Sequence, residues 1–153
     1  MWVRGATGYS RGNRDDSFAS YYFGGFGNNY VDHRDVKRYR DYDRFPGLEL
    51  DQVAGTSFVK AMGEWTLPPV RFRRVGFKQI YCTYARPALF TTGLVTNLDD
   101  DAFRQEAINW GAQVDFRLVI FSALESTLSV GAAGAKVEGQ DVETEFMISL
   151  KIM

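Results

Sequence analysis

The chain has 153 residues, with 18 Lys and Arg against 19 Asp and Glu, 1 Cys and 1 His. That length fits one domain, the near-neutral charge offers no electrostatic case for a nucleic-acid partner, and a lone cysteine excludes an internal disulfide. No apolar run approaches the roughly 20 residues of a spanning helix, which excludes helical membrane proteins but not barrels, whose polar faces interrupt the hydrophobicity.

In chain order, Met1 to Tyr9 is a short candidate strand, and Arg4 with its small and polar neighbours interrupts any signal-peptide core. The expectation is a cytosolic chain, or the processed or truncated part of a longer precursor. Ser10 to Ala54 is a long segment dense in Gly, Asn, Asp, Arg and Tyr. Its aromatic content from Phe18 to Tyr42 argues against disorder, since disordered segments are aromatic-poor, so it is expected to be an ordered, folded-in loop with a strand around Ala19–Phe23. Thr56 to Leu67 alternates, with Val59, Ala61, Trp65 and Leu67 opposite Lys60, Met62, Glu64 and Thr66. Pro68-Pro69 ends it, because proline cannot donate a ladder hydrogen bond. VRFRRVG reads as a basic connection, followed by a strand over Phe77–Ala85 in which Ile80, Cys82 and Tyr84 share a face. Arg86-Pro87 marks a bulge or edge, ALFTTGLV continues extended, and Thr96–Arg104 is an acidic loop.

Ala107 to Phe121 carries the clearest signal. Ile108, Trp110, Ala112, Val114, Phe116, Leu118 and Ile120 point one way, and Asn109, Gly111, Gln113, Asp115, Arg117 and Val119 the other. A helix would scatter the same apolar residues round its circumference. A tilted strand crossing a bilayer needs about 9–11 residues, which this run supplies. A tight turn around Ser122–Glu125 leads to a returning strand, Ser126–Lys136. Gly139-Gln140-Asp141 is a turn, and Val142–Met153 is the last strand, with Phe146, Ile148, Leu150 and Ile152 opposite Glu145, Met147, Ser149 and Lys151. No internal repeat is visible.

A period of two does not say which face is inside. A soluble barrel turns its apolar face inward; a transmembrane barrel turns it to lipid. Lipid is favoured by the charge-free apolar faces of the last three strands and by Trp2, Tyr9, Trp65 and Trp110 read near strand ends, where aromatic girdles sit. The expected lipid-facing set is Trp65, Ile108, Trp110, Val114, Phe116, Leu118, Phe146, Ile148, Leu150 and Ile152. The alternative is a soluble lipocalin-like barrel binding a small apolar ligand.

GGFGNNY (Gly24–Tyr30), KRYR…RFPG (Lys37–Gly47) and FVKAMGEW (Phe58–Trp65) resemble the end of the bacterial surface-antigen barrel, the family of outer-membrane assembly factors and two-partner secretion transporters. EWTLPPVRFRRVG…ARPALF with the EFMISLKIM ending is similar to such barrels fused behind TolB-like β-propellers. The resemblance covers nearly the whole chain as the last six strands of a larger barrel. It implies an outer-membrane scaffold, pore or translocation and assembly element, with the loop inside the barrel. Two departures stand out: Arg44-Phe45-Pro46-Gly47 replaces an Arg-Gly-aromatic loop, and Ile152-Met153 replaces an aromatic ending.

The fold expected is therefore all-β, with antiparallel up-and-down strands of a transmembrane β-barrel and one folded-in loop. Residues 1–153 form a single domain, the C-terminal portion of a larger barrel. Its partners would be the lipid bilayer, further barrel strands or an upstream propeller, and an oligomer or larger assembly; its place is the bacterial outer membrane. Glu64 and Asp115 fall on polar strand faces, where a loop arginine would offset the cost of a lone confined charge. Arg44 is the first candidate, Arg38 the second and Arg40 the third. Other chemistry is not expected. Asp32-His33-Arg34-Asp35 lacks a second ligand cluster for a metal, Cys82 reads as a small hydrophobe, and Gly24-Gly25-Phe26-Gly27 lacks the flanking elements of a phosphate loop. Glu64, Asp115 and Glu125 need only line a lumen. Arg71-Arg73-Arg74 reads equally as a headgroup contact or a solvated turn. No enzyme and no cofactor are expected.

Overall fold

The computed structural model describes residues 1–12, 17–27, 36–121 and 123–152. Its strands are β1 (Trp2–Tyr9), β2 (Tyr21–Phe23), β3 (Val53–Gly55), β4 (Ser57–Thr66), β5 (Val70–Gly76), β6 (Ile80–Thr96), β7 (Gln105–Ile120), β8 (Leu124–Val137) and β9 (Val142–Ile152). The protein is all-β. One antiparallel sheet runs in the order β1-β4-β6-β7-β8-β9, with β5 beside the first part of β6, and β2 and β3 form a separate ribbon. β1 and β9 are its two edges among the described residues, so the expected up-and-down order appears as an open sheet rather than a closed barrel.

Two local expectations are corrected. VRFRRVG is not a connection: past Pro68-Pro69 the chain resumes as β5, pairing Val70 with Ala85 and Val75 with Cys82. Arg71 and Arg73 therefore stand on a strand rather than a turn, because β6 extends far enough to offer them a ladder. The bulge lies at Thr83 rather than at Arg86-Pro87. Cys82 opposes Leu118 while Tyr84 opposes Arg117, two steps on β6 for one on β7. Tyr84 thereby leaves the face of Ile80 and Cys82.

The face covered by the long loop is the inner face; the other is the outer. On β7 the inner face buries Asn109, Gln113 and Asp115, while Ile108 and Trp110 are exposed on the outer face. β4 repeats the pattern, with Lys60 and Glu64 buried and Val59 and Trp65 exposed. The loop brings an apolar core of its own. Phe23, Phe45, Leu48 and Val53 pack on Phe58, Leu94, Ala135 and Val137, and Phe26 and Tyr39 pack on Met62, Phe90, Ala133 and Met147. Small residues on β8 make the room. A Cβ at Gly131 would stand 3.3 Å from the Phe26 ring, and Gly47 lies so close that its own Cβ would be 2.7 Å from the Ala135 nitrogen.

Of the aromatics expected near strand ends, Trp2 and Tyr9 bound β1 and Trp65 is the last residue but one of β4, whereas Trp110 opposes Thr91 well inside β6. Trp2 opposes Glu64 and so belongs to the inner face.

Candidate functional site: the loop anchors on the inner face

Residues 38–40 form a 3-10 turn, closed by Arg40 N to Lys37 O (3.2 Å) and Asp41 N to Arg38 O (3.0 Å). At three residues per turn, positions i and i+3 eclipse, so Lys37 and Arg40 leave the turn on one side. Both reach Glu64 of β4. Lys37 Nζ lies 2.8 Å from Oε1, and Arg40 spans both oxygens, Nε to Oε2 and a terminal nitrogen to Oε1, at 2.8 Å each. The Thr66 hydroxyl donates to Oε1 at 2.7 Å. Glu64 is only 2 % exposed, and its charge is tolerable because its oxygens accept four hydrogen bonds, three of them from cations. The Arg40 guanidinium also lies 4.8 Å above the Trp2 ring, and Arg4 donates to the Arg40 carbonyl at 2.7 Å. Between the two cations, Tyr39 stacks on Phe90 at 4.2 Å. Burial, and after it the Glu64 carboxylate, push its hydroxyl far above the ordinary tyrosine range, so it stays neutral.

Two further inner-face charges hold loop backbone. The Lys60 ammonium donates to the carbonyls of Asp41 (3.2 Å), Tyr42 (3.0 Å) and Arg44. Glu145 of β9 accepts from Phe26 N (3.1 Å) on one oxygen and Gly47 N (3.0 Å) on the other. Neutral amides add to these: Asn109 donates to Pro46 O at 3.0 Å and Gln113 to Val36 O at 3.3 Å. The loop is thus fastened from β4 across to β9.

The order of arginines expected from sequence is corrected. Arg40 takes Glu64, whereas Arg44 lies 3.4 Å from Asp43 and Arg38 donates to Gly27 O at 3.2 Å. The main chain of residue 44 still meets β4, its carbonyl taking the Lys60 ammonium, but its side chain runs along Gly27. Asp115 is held by Gln113 (2.6 Å) and Ser129 (2.8 Å), both neutral donors of the sheet itself. Lys37, Lys60 and Glu145 were absent from the candidates. The Lys-x-x-Arg spacing and the shared strand parity of Lys60 and Glu64 were the signals that could have found two of them.

Phe146, Ile148, Leu150, Ile152, Ile108, Trp110 and Trp65 are exposed on the outer face, and Val114, Phe116 and Leu118 are half-buried on it. Residues 32–35 lie outside the described residues. The amides of Gly24, Gly25 and Phe26, which a phosphate loop would present to its ligand, are bonded to Asp43 O, Leu48 O and Glu145. Glu125 pairs with Arg117, the Cys82 thiol donates to Tyr84 O at 3.5 Å, and no group of three metal-ligating side chains occurs among the described residues. No family model, curated protein or solved structure matches the chain.

Proposed function

We propose that the chain is part of an outer-membrane β-barrel whose outer face meets lipid and whose inner face carries the loop as an internal plug, serving as a scaffold, pore or translocation element. The observation that carries this reading is the inversion of burial. Trp65, Leu89, Ala112, Ala132 and Phe146 stand side by side across five strands on the outer face, with Trp65 58 % and Phe146 79 % exposed. On the outer face of β6 to β9 the described charges are Glu106 and Lys136, both next to the loops at one end. The same strands bury Asn109, Gln113, Asp115 and Ser129 on the other side. An apolar surface of this extent is an aggregation hazard in water and the required surface in a bilayer.

Unpaired backbone in hydrocarbon costs several kcal/mol per group, so the proposed barrel needs further strands along β1 and β9, from a longer chain or from other subunits. The resemblance to surface-antigen barrels behind TolB-like propellers supports the first source. A lipocalin-like reading fares worse, because the inner face here is charged and filled by the loop.

Cysteine scanning of β9 in a Cys82→Ser background, with the chain reconstituted in vesicles, tests the reading. Positions 148, 150 and 152 are exposed to any aqueous reagent if the protein is soluble, and shielded if they face lipid. Protection at those positions with labelling at 149 and 151 is expected; rapid labelling at 148, 150 and 152 would overturn the proposal.

A further inference from the structure

The hairpin joining β5 to β6 and the turn joining β7 to β8 meet at one end of the sheet, where Phe121 N donates to Gln79 O at 2.6 Å. Both expose side chains that water does not favour: Phe77 is 83 % and Phe121 72 % exposed. Phe121 also holds φ 50°, a left-handed conformation that glycine or asparagine fills at less cost. Cations stand beside them. Arg73 on β5 and Lys78 in the turn are exposed, and neither has an ion pair among the described residues. The opposite end differs in sign, since the turn between β8 and β9 exposes Glu138 and Asp141.

We propose that this end is an interfacial anchor for anionic phospholipid, in which Lys78 and Arg73 meet headgroup phosphates and Phe77 and Phe121 lie among the headgroups. The inference rests on the outer face meeting lipid. Its depth follows from the strand. The outer face of β7 carries no charge from Ile108 to Ile120, about 40 Å at about 3.4 Å per residue. Tilted by about 35–45°, that run stands about 30 Å tall, a little more than the roughly 25 Å apolar band of a barrel. Ile80, Ile120 and Leu124 form its last row across three strands, and the two turns just beyond that row fall in the headgroup layer. There a phenyl ring finds the interface that aromatic girdles occupy, and a cation finds phosphate oxygens. Arg73 stands a few residues above the last row, an offset that its long stem partly covers. A net-anionic headgroup suits these cations better than a zwitterionic one, which brings a cation of its own. At the other end of the run Glu106 and Lys136 share the outer face, and the turn beyond them adds only carboxylates.

The test places a fluorophore on Leu124→Cys, in the last apolar row two strands and about 10 Å from Ile80, and separately on Ile108→Cys at the other end. Both are made in the full chain carrying Cys82→Ser and reconstituted in phosphatidylcholine vesicles. Nitroxide-labelled phosphatidylglycerol or nitroxide-labelled phosphatidylcholine is then mixed in at equal fraction, and each quenches the fluorophore it touches. Phosphatidylglycerol should occupy the contact at 124 about five times more readily than phosphatidylcholine, the gain for one cation near an anionic headgroup. It should show no such preference at 108. Lys78→Gln combined with Arg73→Gln should remove the preference at 124, and high salt should lower it. Arg86→Gln should leave it unchanged, because Arg86 stands on the inner face opposite Asp115. Equal quenching by the two lipids at 124, the same preference at both ends, or a preference that survives the double substitution overturns the proposal while leaving the outer face in lipid. Quenching by neither lipid at either position overturns the outer-face reading itself, and this inference with it.

Discussion

Lys60 and Glu64 stand four residues apart on β4, under the loop, and Arg86 and Asp115 oppose each other across β6 and β7. All four are charges on the same face of one sheet, yet they are handled differently. Under the loop each charge is saturated by groups from a distant segment: cations on Glu64, carbonyls on Lys60. On β6 and β7, by contrast, Asp115 is satisfied by the strands around it and Arg86 is exposed. Lys60 and Glu64 are buried on partners from the loop, whereas Asp115 is buried on partners from its own sheet and Arg86 is exposed.

The largest effect should come from Glu64→Ala, which leaves Lys37 and Arg40 facing each other in a dry site. Breaking a buried pair costs about 3–5 kcal/mol, and Arg40, with 26 % of its side chain exposed, places the value toward the lower end. Urea unfolding should show that loss, and limited proteolysis should cut within 36–55 while the strands persist; an unchanged digestion rate would erase the distinction between the two pairs of charges. Gly47→Ala is expected next, at about 2–4 kcal/mol, for a side chain at φ +100° driven into the backbone of β8. Lys60→Met keeps the apolar stem but strips three loop carbonyls of their donor, for about 1–3 kcal/mol by the same unfolding assay. Asp115→Asn should be the mildest, under about 1 kcal/mol, because an amide oxygen accepts the same two bonds. A large loss there would mean that Asp115 also helps to hold the loop.

Much of this was legible from the alternation of residues. The partition of β4, β7 and β9 into two faces followed from Val59-Ala61-Trp65, from Ile108 through Ile120 and from Phe146 through Ile152, because a strand has only two sides. The folded-in loop followed from its aromatic content. β5 was missed because Arg71 and Arg73 next to Pro68-Pro69 look like a turn when read alone; pairing with β6 outweighs local composition. The anchor was half legible. A buried Glu64 calls for a loop cation, but which cation answers depends on a 3-10 turn of three residues, too short to leave a periodic trace. Glu145 was hidden for another reason: its partners are main-chain N–H groups, which every residue but proline possesses, so no side-chain pattern betrays them.

The Glu145 contacts also fix an order of events. Phe26 N meets its acceptor 119 residues further along the chain, and Gly47 N meets the other oxygen 98 residues on. Both acceptors belong to β9, the last strand described. Closure over such separations is slow, since the chain entropy is lost before the contact rewards it. The loop can therefore dock on β4 through Glu64 and Lys60 early, but it locks only when β9 has paired with β8. Until then Phe26 and Tyr39 lack Met147, the β9 part of their floor. The grip of Lys37 and Arg40 on Glu64, and of Lys60 on the loop carbonyls, acts as a hinge in time as well as in space: it holds a sticky aromatic segment against its own sheet while the rest of that sheet is still being laid down.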